Sequence, residues 1–148
     1  MKRILLYCIL FGCALMVPIK KIDISDLEPI QAVRMYREDG KIILETDTED
    51  YGIGENVKEA LADMKQSSEG IVYLDTAQFL VVAENALDDI AHIKPFLKEK
   101  VQVCLSEGMD KLSTVAKYMK AHDIGVKLKQ WHKNLELPQL PDLPGEES

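Results

Sequence analysis

The sequence is poor in most of the residues that carry chemistry. It has three cysteines and three histidines in 148 residues, and aromatic side chains make up 6% of it. Cys8 and Cys13 both lie near the N-terminus, so Cys104 is the single thiol of the remaining chain, and a disulfide within that part is excluded. Cys104 stands in the apolar run Val101 to Leu105 and reads as a small buried hydrophobe, with no neighbouring base to make it a nucleophile. His92, His122 and His132 are far apart and sit beside no cysteine or carboxylate at metal-ligand spacing. They read as surface histidines, and no metal or other cofactor is expected.

Glycine is scarce too, and Gly52-Ile53-Gly54 is a two-glycine fragment within a polar loop, not a phosphate cradle. Ser25, Ser67, Ser68, Ser106 and Ser113 stand in no nucleophile-elbow context. Asp47, Glu49, Asp50 and Glu55 are dense enough to attract calcium, but their spacing does not follow a calcium loop, and a solvated loop is the simpler reading. Positive charge is the last shortage. Lys2, Arg3, Lys20 and Lys21 supply four cations, so the net charge of −7 becomes −11 for Ile22 to Ser148. Such a surface repels phosphate backbones and anionic headgroups, and no run of Lys and Arg interrupts it, so nucleic acid is not an expected partner.

What the sequence does have begins at its N-terminus. Lys2 and Arg3 precede sixteen uncharged residues, Ile4 to Ile19, in the pattern of a secretory signal. As a helix this run would span about 24 Å, short of a hydrocarbon core of about 30 Å. Leu10-Phe11-Gly12-Cys13 has the outline of a lipobox, in which Cys13 would be lipidated. Three outcomes stay open: lipidation at Cys13, an uncleaved signal anchor, and cleavage before Lys20. All three place residues 22–148 outside the cytoplasm, either secreted or held at the membrane.

Nearly half of the chain is apolar, enough for one domain with its own core. Ile30 to Tyr36 and Lys41 to Asp47 read as strands of a hairpin around Glu38-Asp39-Gly40. Asp47 to Glu55 reads as a loop. Val57, Ala60, Leu61 and Met64 then form a helical stripe behind the candidate N-cap Asn56. Ile71 to Leu74, Phe79 to Ala83 and Val101 to Leu105 read as strands, and Glu84 to Lys100 as a helix broken by Pro95. A second stripe, Leu112, Val115, Ala116 and Met119, runs to about His122, and Val126 to Lys129 fits one more strand. The expected fold is α/β, with α+β as the alternative: a small mixed β-sheet covered by helices, behind an N-terminal apolar targeting or anchor helix. The divisions are 1–21 for that segment, 22–134 for the domain and 135–148 for a proline-rich tail.

The tail repeats Leu-Pro-X three times, which as polyproline II would line Leu137, Leu140 and Leu143 along one edge of a rod. Either the tail is simply exposed, or these leucines dock into a groove on a partner. In both cases they are expected to stay out of the core.

The segments Asn56-Val57-Lys58-Glu59-Ala60-Leu61, Ile71-Val72-Tyr73-Leu74-Asp75-Thr76-Ala77 and Phe79-Leu80-Val81-Val82-Ala83-Glu84 resemble the N-terminal domain of the GerAC-type C subunit of spore-germination receptors. The resemblance spans Leu27 to Met119 and lies mainly in apolar spacing. It implies a membrane-tethered, non-enzymatic subunit on the outer face of a bacterial membrane, assembled with membrane-embedded receptor proteins, and it brings no catalytic residues. The favoured function class is therefore an extracytoplasmic interaction module. The alternative is a small exported enzyme or ligand-binding protein whose site assembles from distant residues. A cleft gathering Asp75, Glu84 and a histidine would favour the alternative, and an exposed apolar patch would favour the module.

Overall fold

The computed structural model describes residues 2–15 and 29–143. Near the N-terminus is helix α1 (Lys2–Leu15), on which Ile4, Leu5, Leu6, Tyr7, Ile9 and Phe11 face solvent. From residue 29 onward the chain builds a mixed sheet. Asp39 and Gly40 take left-handed φ values of 50° and 77°, the conformation that matches the twist of paired strands. They close the expected hairpin of β1 (Ala32–Glu38) and β2 (Lys41–Thr46), in register from Val33 opposite Thr46 to Glu38 opposite Lys41.

Among the described residues the sheet has six strands, in the order β3-β2-β1-β4-β5-β6. The others are β3 (Tyr51–Gly54), β4 (Phe79–Val82), β5 (Gln102–Leu105) and β6 (Val126–Lys127). β1, β4 and β5 are mutually parallel, while β2 runs against both β1 and β3, and β6 against β5. Because successive strand residues point to opposite faces, the core divides into two layers. On one face Val33, Met35, Ile42, Leu44, Leu80, Val82 and Val103 meet α2 (Val57–Ser67) and α3 (Ile90–Ile93). On the other, Ala32, Phe79, Val81 and Cys104 meet α4 (Leu112–His122).

Both helical stripes sit as read from the sequence. Asn56 caps α2 by accepting from the Glu59 amide at 3.0 Å, and Val57, Ala60, Leu61 and Met64 are its buried residues. Leu112, Val115, Ala116 and Met119 are those of α4.

Four expectations are corrected. Asp47 to Glu55 is not wholly loop, since Tyr51 to Gly54 pairs with β2 as an edge strand. Its glycines look like loop signals in the sequence, but in the fold they admit close packing. A Cβ on Gly52 would lie 2.6 Å from the Met64 Cβ and closer still to the Ala60 carbonyl oxygen, and one on Gly54 would lie 2.6 Å from the Glu59 Cβ. Ile71 to Leu74 is not a strand. To reach its place beside β1, the chain must cross from the β3 side over the end of the sheet, and residues 71–76 make that crossing, ending in the 3₁₀ turn Leu74–Thr76. Glu84 to Lys100 holds one turn of α-helix between the 3₁₀ turns Glu84–Asp89 and Lys94–Phe96, the second containing Pro95.

The tail supplies the fourth correction. Leu140 and Leu143 are buried against α4 and the sheet, and Leu137 is half-buried against the other layer. The prolines of this segment remove amide donors that a sheet would use. The segment pairs nonetheless, because its non-proline amides are in the right places. The Leu140 amide donates to the Leu105 carbonyl at 2.7 Å, and the Pro138 carbonyl accepts from the Leu105 amide at 2.9 Å. The folded unit therefore continues past residue 134 to at least Leu143.

Candidate functional site

The two faces of the sheet are unequally covered. α4 packs over β1, β4 and β5, and among the described residues no helix lies over β2 and β3 on that side. Strand register sets what this bare half presents. Arg34, Glu45 and Tyr51 form one cross-strand row, and Tyr36, Ile43 and Ile53 form the next. Ile43 is buried beneath its neighbours, whereas Tyr51 and Ile53 are 44% and 39% exposed. This is an exposed apolar patch, and two of its members lie on β3, in the stretch expected to be loop.

A polar network frames it. The buried guanidinium of Arg34 donates through Nη1 to Glu45 Oε2 at 3.1 Å and through Nη2 to the Asp110 carbonyl, tying the loop before α4 to the sheet. The Tyr36 hydroxyl donates to the other Glu45 oxygen at 3.3 Å. Burial, and then the charge of Glu45, push the Tyr36 phenol up to about 12. The Tyr51 phenol is also raised, by burial first and then by Glu38, Glu45 and Asp63. The patch is thus aromatic and electronegative. Phenols that keep their protons well above neutrality suit it to hydrogen bonding and stacking rather than to acid–base chemistry.

The outer edge of β3 is closed to strand addition. The Ile53 amide donates to Asp63 Oδ2 at 2.9 Å, and the Tyr51 carbonyl accepts from the Ser67 hydroxyl at 3.1 Å, so side chains of α2 occupy the groups a new strand would use. A partner would meet the face of this strand and not its edge.

The other residues singled out in the sequence do not converge. Asp75 precedes β4 and Glu84 follows it, so the two carboxylates lie at opposite ends of one strand. His92 is exposed on α3, His122 stacks on Tyr118 with ring centroids 4.0 Å apart, and His132 is exposed. Asp47 accepts the Gln31 and Ala32 amides, and Asp50 accepts from the Thr48 and Ser68 hydroxyls, so both hold the loop together. Among the described residues, no group of three or more His, Cys, Asp and Glu side chains could hold a metal ion. Cys104 is buried 3.5 Å from the Met119 sulfur, and burial raises its thiol to about 12, well above the reactive range.

Cys13 lies exposed on α1, while Pro18, Lys20, Lys21 and the expected cleavage region fall outside the described residues. The 14 residues of α1 span about 21 Å. Among the described residues no helix is long and apolar enough to cross a membrane. Of the three tail leucines, Leu140 and Leu143 are spent on the core and offer no strip for docking. No family model, curated protein or solved structure matches the chain.

Proposed function

We propose that the protein is a non-enzymatic, extracytoplasmic interaction module held at a membrane by its N-terminal segment. The observation that carries this reading is α1: directly after Lys2 and Arg3 it leaves Ile4, Leu5, Leu6, Tyr7, Ile9 and Phe11 between 56% and 71% exposed. So much apolar surface on one helix is costly in water and gains most from transfer to lipid or to a membrane protein. A helix of this length acts as a targeting signal, as an anchor in locally thinned bilayer, or as the carrier of a lipid on Cys13.

The bare half-sheet of Tyr36, Tyr51 and Ile53 supports the second part of the reading. It is a surface for a protein partner, with the Tyr36 and Tyr51 phenols held protonated for hydrogen bonding and stacking. The resemblance to C subunits of spore-germination receptors supports a membrane-embedded receptor protein as that partner. The test is protease accessibility of the full chain carrying an epitope after Ser148, expressed in a Gram-positive host. The epitope should be lost when intact protoplasts are treated with protease. An epitope protected until lysis would end the extracytoplasmic reading.

A further inference from the structure

β1, β4 and β5 start at the same end of the sheet, and four stretches distant in sequence are brought together there. Residues 29–31 lead into β1, residues 71–76 cross to β4, residues 94–101 lead into β5, and α4 ends beside β6. β6 runs against β5 toward this end, where the Leu128 amide donates to the Val101 carbonyl at 2.7 Å and the Lys129 amide to the Glu99 carbonyl at 3.0 Å. Lys127 and Lys129 are thereby set beside Lys98 and Lys100. Lys94 lies one 3₁₀ turn away, and Lys120 sits in the last turn of α4.

All of these lysines except the half-buried Lys94 are exposed, and none of the six forms an ion pair with a described carboxylate. The carboxylates among them are Glu99 and Asp123, with Asp75 on the crossing segment. Asp47, Glu49, Asp50 and Glu69 lie at the same end but on the β2–β3 half. The β4–β6 half of this end is therefore basic on a chain whose net charge is −7. Apolar side chains also face water at this end of the sheet: Phe96, between Lys94 and Lys98, is 39% exposed, and Ile71 and Tyr73 on the crossing segment are 54% and 53% exposed.

We infer that this end of the domain is a docking surface for an anionic phospholipid bilayer. Lysines beside exposed aliphatic and aromatic side chains match a membrane interface, where headgroups take the charge and the acyl boundary takes the apolar tips. A nucleic-acid duplex would use the lysines but leave Ile71 and Phe96 unsatisfied. The described part of the domain begins at residue 29, at this same end, so a tether made by the residues before it is attached on the side that carries these lysines. The inference rests on the membrane tether proposed above and adds the orientation in which the tethered domain lies, with its bare β2–β3 face turned sideways and open to a neighbour.

Contrary to the expectation that no group of Lys and Arg interrupts the acidic surface, a basic cluster stands at this end. The cluster does not exist as a run and is made by the pairing of β6 with β5.

Trp131, the single tryptophan, follows the 3₁₀ turn at this end and reports on docking. The full chain is mixed with vesicles of phosphatidylcholine, alone or with phosphatidylglycerol, each carrying a headgroup-nitroxide lipid, and flotation and Trp131 quenching are read together. Quenching is expected on the phosphatidylglycerol vesicles, with little on phosphatidylcholine and loss on raising salt. The variant Lys98→Glu with Lys100→Glu and Lys129→Glu should weaken docking by at least about 100-fold, since each lysine near an anionic surface contributes about 1 kcal/mol, 1.4 kcal/mol is tenfold, and the new carboxylates add repulsion. Lys41→Glu with Lys58→Glu, at the opposite end, should leave it unchanged.

Flotation with both kinds of vesicle but equal or absent quenching would overturn the docking surface while leaving the tether standing. Flotation and quenching on phosphatidylglycerol vesicles alone would support docking and remove the tether. Flotation with neither would sink both. Tighter binding to duplex DNA than to the anionic vesicles, lost in the triple variant, would also overturn the inference.

Discussion

Gly52→Ala tests the packing of α2 on β3 most sharply. The new Cβ would stand 2.6 Å from the Met64 Cβ and nearer still to the Ala60 carbonyl oxygen, both fixed to the helix backbone. Unlike the tip of a side chain, neither can rotate away. Ordinary contact between carbon atoms is about 3.5 to 4.0 Å, so α2 must retreat by roughly 1 Å along its length. That movement loosens Val57, Ala60, Leu61 and Met64 together, which are the whole buried stripe of the helix. Overpacking of this kind costs about 1 to 3 kcal/mol, and a backbone clash belongs at the upper end. Against a total stability of roughly 5 to 15 kcal/mol, the midpoint of denaturation should move well outside error.

Gly70→Ala is the matched control. Its Cβ would meet nothing within 4 Å, and its φ lies outside the left-handed range. Restricting the unfolded chain there should stabilise by about 0.4 to 1 kcal/mol. The two substitutions, chemically identical, should therefore shift urea midpoints in opposite directions when followed by far-ultraviolet circular dichroism. Equal shifts, or a stabilised Gly52→Ala protein, would refute the claim that the glycines exist to admit the helix.

Leu140→Ala should cost about 2 to 5 kcal/mol, as for a core leucine, since Leu140 is 4% exposed. A midpoint within error of Glu136→Ala, an exposed change on the same segment, would return the tail to solvent. Asp89→Asn should cost about 1.5 to 3 kcal/mol, because Asp89 accepts from both Nε and Nη2 of Arg37 at 2.8 Å, and the half-exposed arginine keeps access to water when its partner is neutralised. The alkaline limb should fall early. Burial holds Cys104 at about 12 against 9.0 and Tyr36 at about 12 against 10.0, so between these values the unfolded chain binds fewer protons than the folded one. Stability is then fully present below about pH 9 and declines as pH rises toward 12, which chemical denaturation at stepped pH would show; a flat profile across that window would contradict the burial of both groups.

What could be read from the sequence was whatever depends on neighbours a few residues away. The hairpin turn at Asp39-Gly40, the Asn56 cap and the two apolar stripes of α2 and α4 are local patterns with local causes, and each appears where its residues placed it. The burial of Cys104 followed from its apolar run in the same way. Tertiary structure decided the rest. Gly52 and Gly54 look like loop residues until the helix that follows lays Glu59, Ala60 and Met64 against them, because a missing side chain signals a close approach only once the approaching element is known. The prolines of the tail look incompatible with a sheet until Leu105 supplies a partner for the amide and carbonyl that remain. The Arg34, Glu45 and Tyr51 row and the basic end both join residues whose proximity is created by strand register, a quantity that no window along the chain contains. Local propensity determined the hairpin, α2 and α4, while long-range hydrogen bonding and packing decided that Tyr51 to Gly54 is a strand and Ile71 to Leu74 is not, and which surfaces were left for a partner to meet.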